Sequence, residues 1–154
     1  MIIVERLPAQ VITPDLQEDF LELEWYEVNK SVMKRKTRAG LDVQLNFKEK
    51  VTLLDNCLLY SNLEQSIRVC IRPCLCILLQ SESIRTIGQF CYDVGNRHLP
   101  IYQFEAHGVA VSYDGRLYQA LQHKYPQEVQ LVELKLLPEN ALKAFGNVRQ
   151  ETEQ

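Results

Sequence analysis

Several signatures are missing from this 154-residue chain, and each absence narrows the function. No G-x-x-x-x-G-K-[ST] loop and no G-x-G-x-x-G turn is present, so nothing in the sequence is built to cradle a nucleotide's phosphates. Neither a G-x-S-x-G elbow nor an H-E-x-x-H helix occurs, and no acidic pair stands in an acid/base setting, so the sequence gives little support for an enzyme. Long apolar runs are lacking too. The longest stretch without Asp, Glu, Lys or Arg is Pro73–Ser81, nine residues, where a membrane span takes about 20. Met1-Ile-Ile-Val meets Glu5 at once, which leaves no signal-peptide core. The expected setting is therefore the cytoplasm, with no membrane partner.

Charge of one sign is also lacking. Net charge is −3, and no basic stripe is present of the kind that grips nucleic acid irrespective of sequence. Residues 1–80 carry 10 basic and 11 acidic side chains, and residues 81–154 carry 7 and 9, so neither half is a charged tail. Cysteine is present in an odd number, five. In a chain of this length without a secretory leader, that favours thiols over a disulfide framework.

What is present reads as two domains. Leu21, Leu23 and Trp25 alternate with Glu22 and Glu24, and Val43, Leu45 and Phe47 alternate with Asp42, Gln44 and Asn46; this period of two marks half-buried strands. The polar stretch Lys34–Gly40 between them fits a strand and hairpin turn. Leu53–Tyr60 is a further strand candidate. Ile67, Val69 and Ile71 alternate in their turn until Pro73, which cannot donate to a ladder. Residues 1–73 therefore form a small all-β domain.

Beyond Pro73 the rhythm changes. Cys74–Gln80 is a short apolar strand. Ile84, Ile87, Cys91 and Val94 recur at spacings of three and four, one face of a helix. Ser83 is placed to cap it, and Gly95 to take the left-handed position after its end. Leu99–Glu105 and Val109–Tyr113 read as strands joined by Ala106-His107-Gly108. Asp114 caps a second helix carrying Leu117 and Leu121, and Val129–Leu136 is the last strand. The expected class is thus α+β, with a ferredoxin-like βαββαβ unit over residues 74–138 and a frayed tail over 139–154.

Among the residues that could carry chemistry, Cys74 and Cys76 share one face of a strand. No second pair lies at zinc-ribbon spacing, so they read as core packing, as does Cys91 on the helix stripe. Of the three histidines, His107 falls in a turn and His123 near a helix end, where it suits the dipole. His98 differs: in Gly95-Asn96-Arg97-His98 it lies between a helix end and a strand start, with its imidazole at the rim of the domain.

The segment Cys91-Tyr-Asp-Val-Gly-Asn-Arg-His-Leu-Pro-Ile101 resembles the metal-binding segment of the urease accessory protein UreE family of nickel metallochaperones. The likeness extends to Leu21–Trp25 with Asn29-Lys30, to Arg35-Lys36-Thr37, Gly40 and Asp42, and to Tyr113-Asp114 with Leu117. It covers roughly residues 15–140. The resemblance implies a β domain akin to co-chaperone peptide-binding domains over 1–73 and a metal-binding, dimerising domain over 74–138. It further implies a homodimer with Ni(II) held where two copies of His98 meet, and delivery to the urease apoprotein with its accessory GTPase. Imidazole suits Ni(II), with zinc or copper as competitors. Leu99 and Ile101 offer apolar contacts for the dimer. The histidine-rich tail of many relatives is missing: residues 113–116 read Tyr-Asp-Gly-Arg, and no histidine follows Pro138. A metal-independent peptide-binding adaptor is the alternative, and a thiol redox enzyme using Cys74 and Cys76 a third reading.

Overall fold

In the computed structural model, residues 1–12 and 16–143 are described. The chain divides into two compact units, Met1–Pro73 and Cys74–Gln154. The class is α+β, mostly strand, with two α-helices.

The first unit holds two three-stranded sheets. One has the order β1-β4-β3, from Ile2–Val4 (β1), Val32–Lys36 (β3) and Asp42–Asn46 (β4); the other has the order β2-β6-β5, from Gln17–Leu23 (β2), Leu58–Ser61 (β5) and Gln65–Ile71 (β6). Alternation decides the inner faces. Leu21 and Leu23, Val43 and Leu45, and Ile67, Val69 and Ile71 are all buried. Strand β1 was not legible in the sequence, because three residues are too few to show a period. It exists by pairing in parallel with β4. Strand β5 is shorter than the apolar run from Leu53 suggests: Leu53 itself is buried but sits in a loop, where its N–H donates to the Val28 carbonyl at 2.9 Å.

The β3–β4 hairpin turns at Thr37–Gly40. Gly40 has φ +93°, a conformation that costs glycine little. Asp19 on β2 reaches this turn, its Oδ1 accepting from the Ala39 N–H at 3.0 Å. Glu27, in a 3-10 turn at Trp25–Glu27, is buried and takes a two-pronged bond from Arg35, at 2.7 Å from Nη1 and 2.6 Å from Nη2.

The second unit runs Cys74–Gln80 (β7), Ile84–Gly95 (α1), Tyr102–Phe104 (β8), Gly108–Ser112 (β9), Gly115–Lys124 (α2) and Val129–Leu134 (β10). Its sheet has the order β10-β7-β9-β8, with every neighbouring pair antiparallel. Ile77 and Leu79 of β7 join Phe90 and Val94 of α1, Leu117 and Leu121 of α2, and Val109, Val111 and Val129 in one core. Cys74, Cys76 and Leu78 therefore project to the other face of the sheet. Both helices start as their caps dictate: Ser83 Oγ accepts from the Thr86 N–H at 3.2 Å, and Asp114 Oδ1 from the Leu117 N–H at 2.9 Å.

Three expectations need correction. The buried line of α1 passes through Phe90 and Val94, flanked by Ile87 and Cys91, while Ile84 is 87% exposed and packs into no core. Gly95 is the last helical residue rather than the left-handed one. The positive φ falls instead on His98. Residues 139–143 are also not frayed. Pro138–Asn140 form a 3-10 turn, Ala141 bridges Tyr102, and the Leu142 N–H donates to the Ile101 carbonyl at 2.8 Å. Carbonyls at the β8 edge otherwise lack a strand partner on that side, and this segment supplies one. The rest of the tail lies outside the described residues.

Candidate metal centre

His98 is positioned by the way α1 stops. After Gly95 the backbone tightens: the Asn96 N–H donates to Tyr92 O at 3.1 Å, Arg97 N–H to Val94 O at 3.0 Å, and His98 N–H to Gly95 O at 3.0 Å. His98 then takes φ +58°, a left-handed conformation uncommon for any residue but glycine, though histidine tolerates it better than most. Leu99-Pro100 follows, with proline closing off a return to helix. Val94 on one side and Ile101 on the other are buried in the core. The imidazole thus stands exposed on a short turn pinned at both ends. Non-glycine strain of this kind costs on the order of 1 kcal/mol or more and concentrates at functional sites.

One turn back on α1, Asp93 is already committed. Its carboxylate accepts from Lys124 Nζ at 2.7 Å, the Tyr125 hydroxyl at 3.1 Å and Gln89 Nε2 at 3.3 Å. Lys124 above all holds it below the usual carboxylate range, against an opposing push from burial, with Tyr125 and Gln89 adding to the lowering. Asp93 thereby ties α1 to the end of α2 and steadies the helix from which His98 projects.

The other histidines are not gathered with it into a cluster. Among the described residues no group of three or more His, Cys, Asp or Glu side chains converges. His107 is exposed in the β8–β9 turn, where its carbonyl accepts from the Ser81 N–H at 3.1 Å. His123 is exposed in the last turn of α2.

Comparison with known proteins bears on this arrangement. Residues 3–72 match the model of the UreE urease accessory protein N-terminal domain. A urease accessory protein UreE from Acetivibrio thermocellus is 31% identical over 123 residues, covering 78% of this chain and 80% of that protein. The chain belongs to the UreE family of urease accessory proteins. Proteins of the same name from Flavobacterium johnsoniae (35% over 85 residues, 54% of this chain and 52% of that one) and Helicobacter acinonychis (31% over 110 residues, 68% and 65%) are also similar. Its role is thus that of an accessory protein to urease and not of an enzyme in its own right.

Within this UreE-family chain two features of the candidate residues escape a reading of spacing. Ile101, taken as a dimer contact, is buried in the unit's own core, whereas Leu99 remains 39% exposed. Ile101 packs with Val94 and Val109 in that core, whereas Leu99 lies in the turn that follows α1. The second feature is the cysteine pair. Cys76 is wholly buried and Cys74 half-buried, and their sulfurs lie 3.6 Å apart. Burial, with Cys74 alongside, pushes the Cys76 thiol up to about 12. Cys91 is half-buried on α1 and raised by burial. No disulfide links any of the five cysteines. A reactive thiol centre would want a depressed value, so Cys76 does not suit the redox-enzyme reading. No helix among the described residues is long and apolar enough to cross a membrane.

Proposed function

We propose that this protein is a nickel metallochaperone, binding Ni(II) through His98 at a two-fold seam and delivering it for assembly of the urease active site. The observation that carries the reading is His98 itself: an exposed imidazole in a left-handed turn, anchored on both sides by buried Val94 and Ile101. A single imidazole holds nickel weakly. A two-fold axis through this turn would present two identical imidazoles, and imidazole nitrogen suits Ni(II). Because few protein ligands would enclose the ion, it could pass to another site, as a carrier's cargo must.

In this reading the second unit is a ferredoxin-like dimerisation domain. The β10-β7-β9-β8 order, with a helix after β7 and another after β9, supports that reading. The first unit, residues 1–73, is then a peptide-binding-like domain that engages the urease apoprotein and its accessory GTPase, all in the cytoplasm. Zinc or copper would compete for the same imidazoles, copper more strongly by its place in the affinity order of divalent ions.

Calorimetric titration with Ni(II), alongside size-exclusion chromatography, tests the proposal. The expected result is one tight ion per dimer in the wild type and none in His98→Ala, with the dimer retained. Wild-type affinity in His98→Ala would overturn the site. A wild-type protein that binds no nickel but captures unfolded peptides would favour the adaptor instead.

A further inference from the structure

We propose that Cys74 and Cys76 form a second metal site, a two-thiolate chelate for a thiophilic divalent ion such as zinc or cadmium, on the helix-free face of the second unit's sheet. It is independent of His98. Two thiolates about 2.3 Å from one ion at a tetrahedral angle lie about 3.8 Å apart, and the two sulfurs already stand at 3.6 Å. In an extended strand residues two apart are separated by roughly 6.6 Å along the chain, so this closeness arises because the two side chains lean together. The bite is preformed.

The surroundings suit an ion as well. A cavity of about 320 Å³ lies on this same face, lined by Tyr102, Ala110, Leu134 and Leu136 among others. Leu134 is the residue paired with Cys74 across the β7–β10 ladder. Tyr102, buried on β8, has its hydroxyl raised by burial and by the nearby sulfurs of Cys74 and Cys76. Neither cysteine lines that cavity; Cys74 is only half-buried, and from its open side water or an exogenous thiol would complete the coordination, since no third protein ligand of the His, Cys, Asp or Glu type joins them among the described residues.

Charge balance favours a divalent ion. Each thiol loses its proton to solvent as its sulfur bonds the metal, so two thiolates and one M(II) make a neutral unit, and burial penalises that far less than a lone thiolate.

Titration of the intact protein with Cd(II), followed by the ultraviolet thiolate-to-cadmium band and by native mass spectrometry, tests this. One ion per chain with a thiolate band is expected, undiminished in His98→Ala and lost in Cys74→Ser. On the unsubstituted protein, Cd(II) should also shield Cys74 from iodoacetamide, read by peptide mapping, so the result does not hang on a variant folding. A band that persists in Cys74→Ser, or shielding that falls on Cys70 or Cys91 instead, would overturn the proposal.

Discussion

Glu27 offers the sharpest quantitative test of the fold. It is 4% exposed and its carboxylate accepts from both Arg35 Nη atoms and from the Glu24 N–H at 2.9 Å. The Arg35 hydrogen bonds, followed by the Glu24 N–H, lower its pKa from 4.5 to about 2, against an opposing push from burial. At about 1.4 kcal/mol per tenfold change in proton affinity, that depression corresponds to a ceiling of about 3 kcal/mol. Arg35 is 35% exposed, so solvent screening reduces the figure to about 2 kcal/mol. The sign follows from the direction. A depressed carboxyl contributes its full stability above the unfolded value near 4.5 and loses it as pH falls from there through about 2. Glu27→Gln keeps the size but removes the charge, and leaves the Arg35 guanidinium with the Glu22 carbonyl at 3.2 Å as an acceptor. The single tryptophan, Trp25, lies two residues away in the same unit, so its fluorescence follows unfolding of that unit. Urea titrations should place Glu27→Gln about 2 kcal/mol below wild type at pH 7, with the gap closing toward pH 2. Equal midpoints at pH 7, or a gap unchanged by acid, would refute the reasoning.

Other outcomes are as definite. His98→Gly should lose nickel as His98→Ala does but melt higher than the alanine variant, by roughly 1 kcal/mol, because glycine adopts φ +58° without a Cβ penalty; differential scanning calorimetry separates them. Gly108→Ala should cost about 1–3 kcal/mol, because a Cβ there would stand 2.6 Å from the Phe104 carbonyl oxygen, and chemical denaturation of the second unit reads the loss. Cys76→Ala should leave nickel affinity intact and cost on the order of 1 kcal/mol for a small buried void, measured by titration and thermal melting together.

The candidate site was legible in sequence because its signal is local. Gly95-Asn-Arg-His98 after a periodic helix places an imidazole at a helix end whatever the rest of the chain does. Ser83 and Asp114 announced their helices for the same reason, since a cap bonds an N–H only three residues away. Where a reading depended on neighbours, it slipped. Ile84 matches the helical period but stays exposed, and Gly95 fits a terminator while the left-handed turn falls on His98.

The sequence by itself determined which residues alternate, where helices begin, where Pro73 interrupts a strand, and that one histidine stands at a junction, because each follows from bonds or periods spanning a few residues. Tertiary structure alone decided the rest. Strand β1 exists only because β4 offers it a parallel edge. Glu27 is held far below its ordinary range only because Arg35, eight residues on, folds back against it. Cys74 and Cys76 share a strand face by parity, but their 3.6 Å contact depends on how β9 and β10 hold β7 between them. Such contacts join residues distant in the chain, and no local pattern encodes a distance.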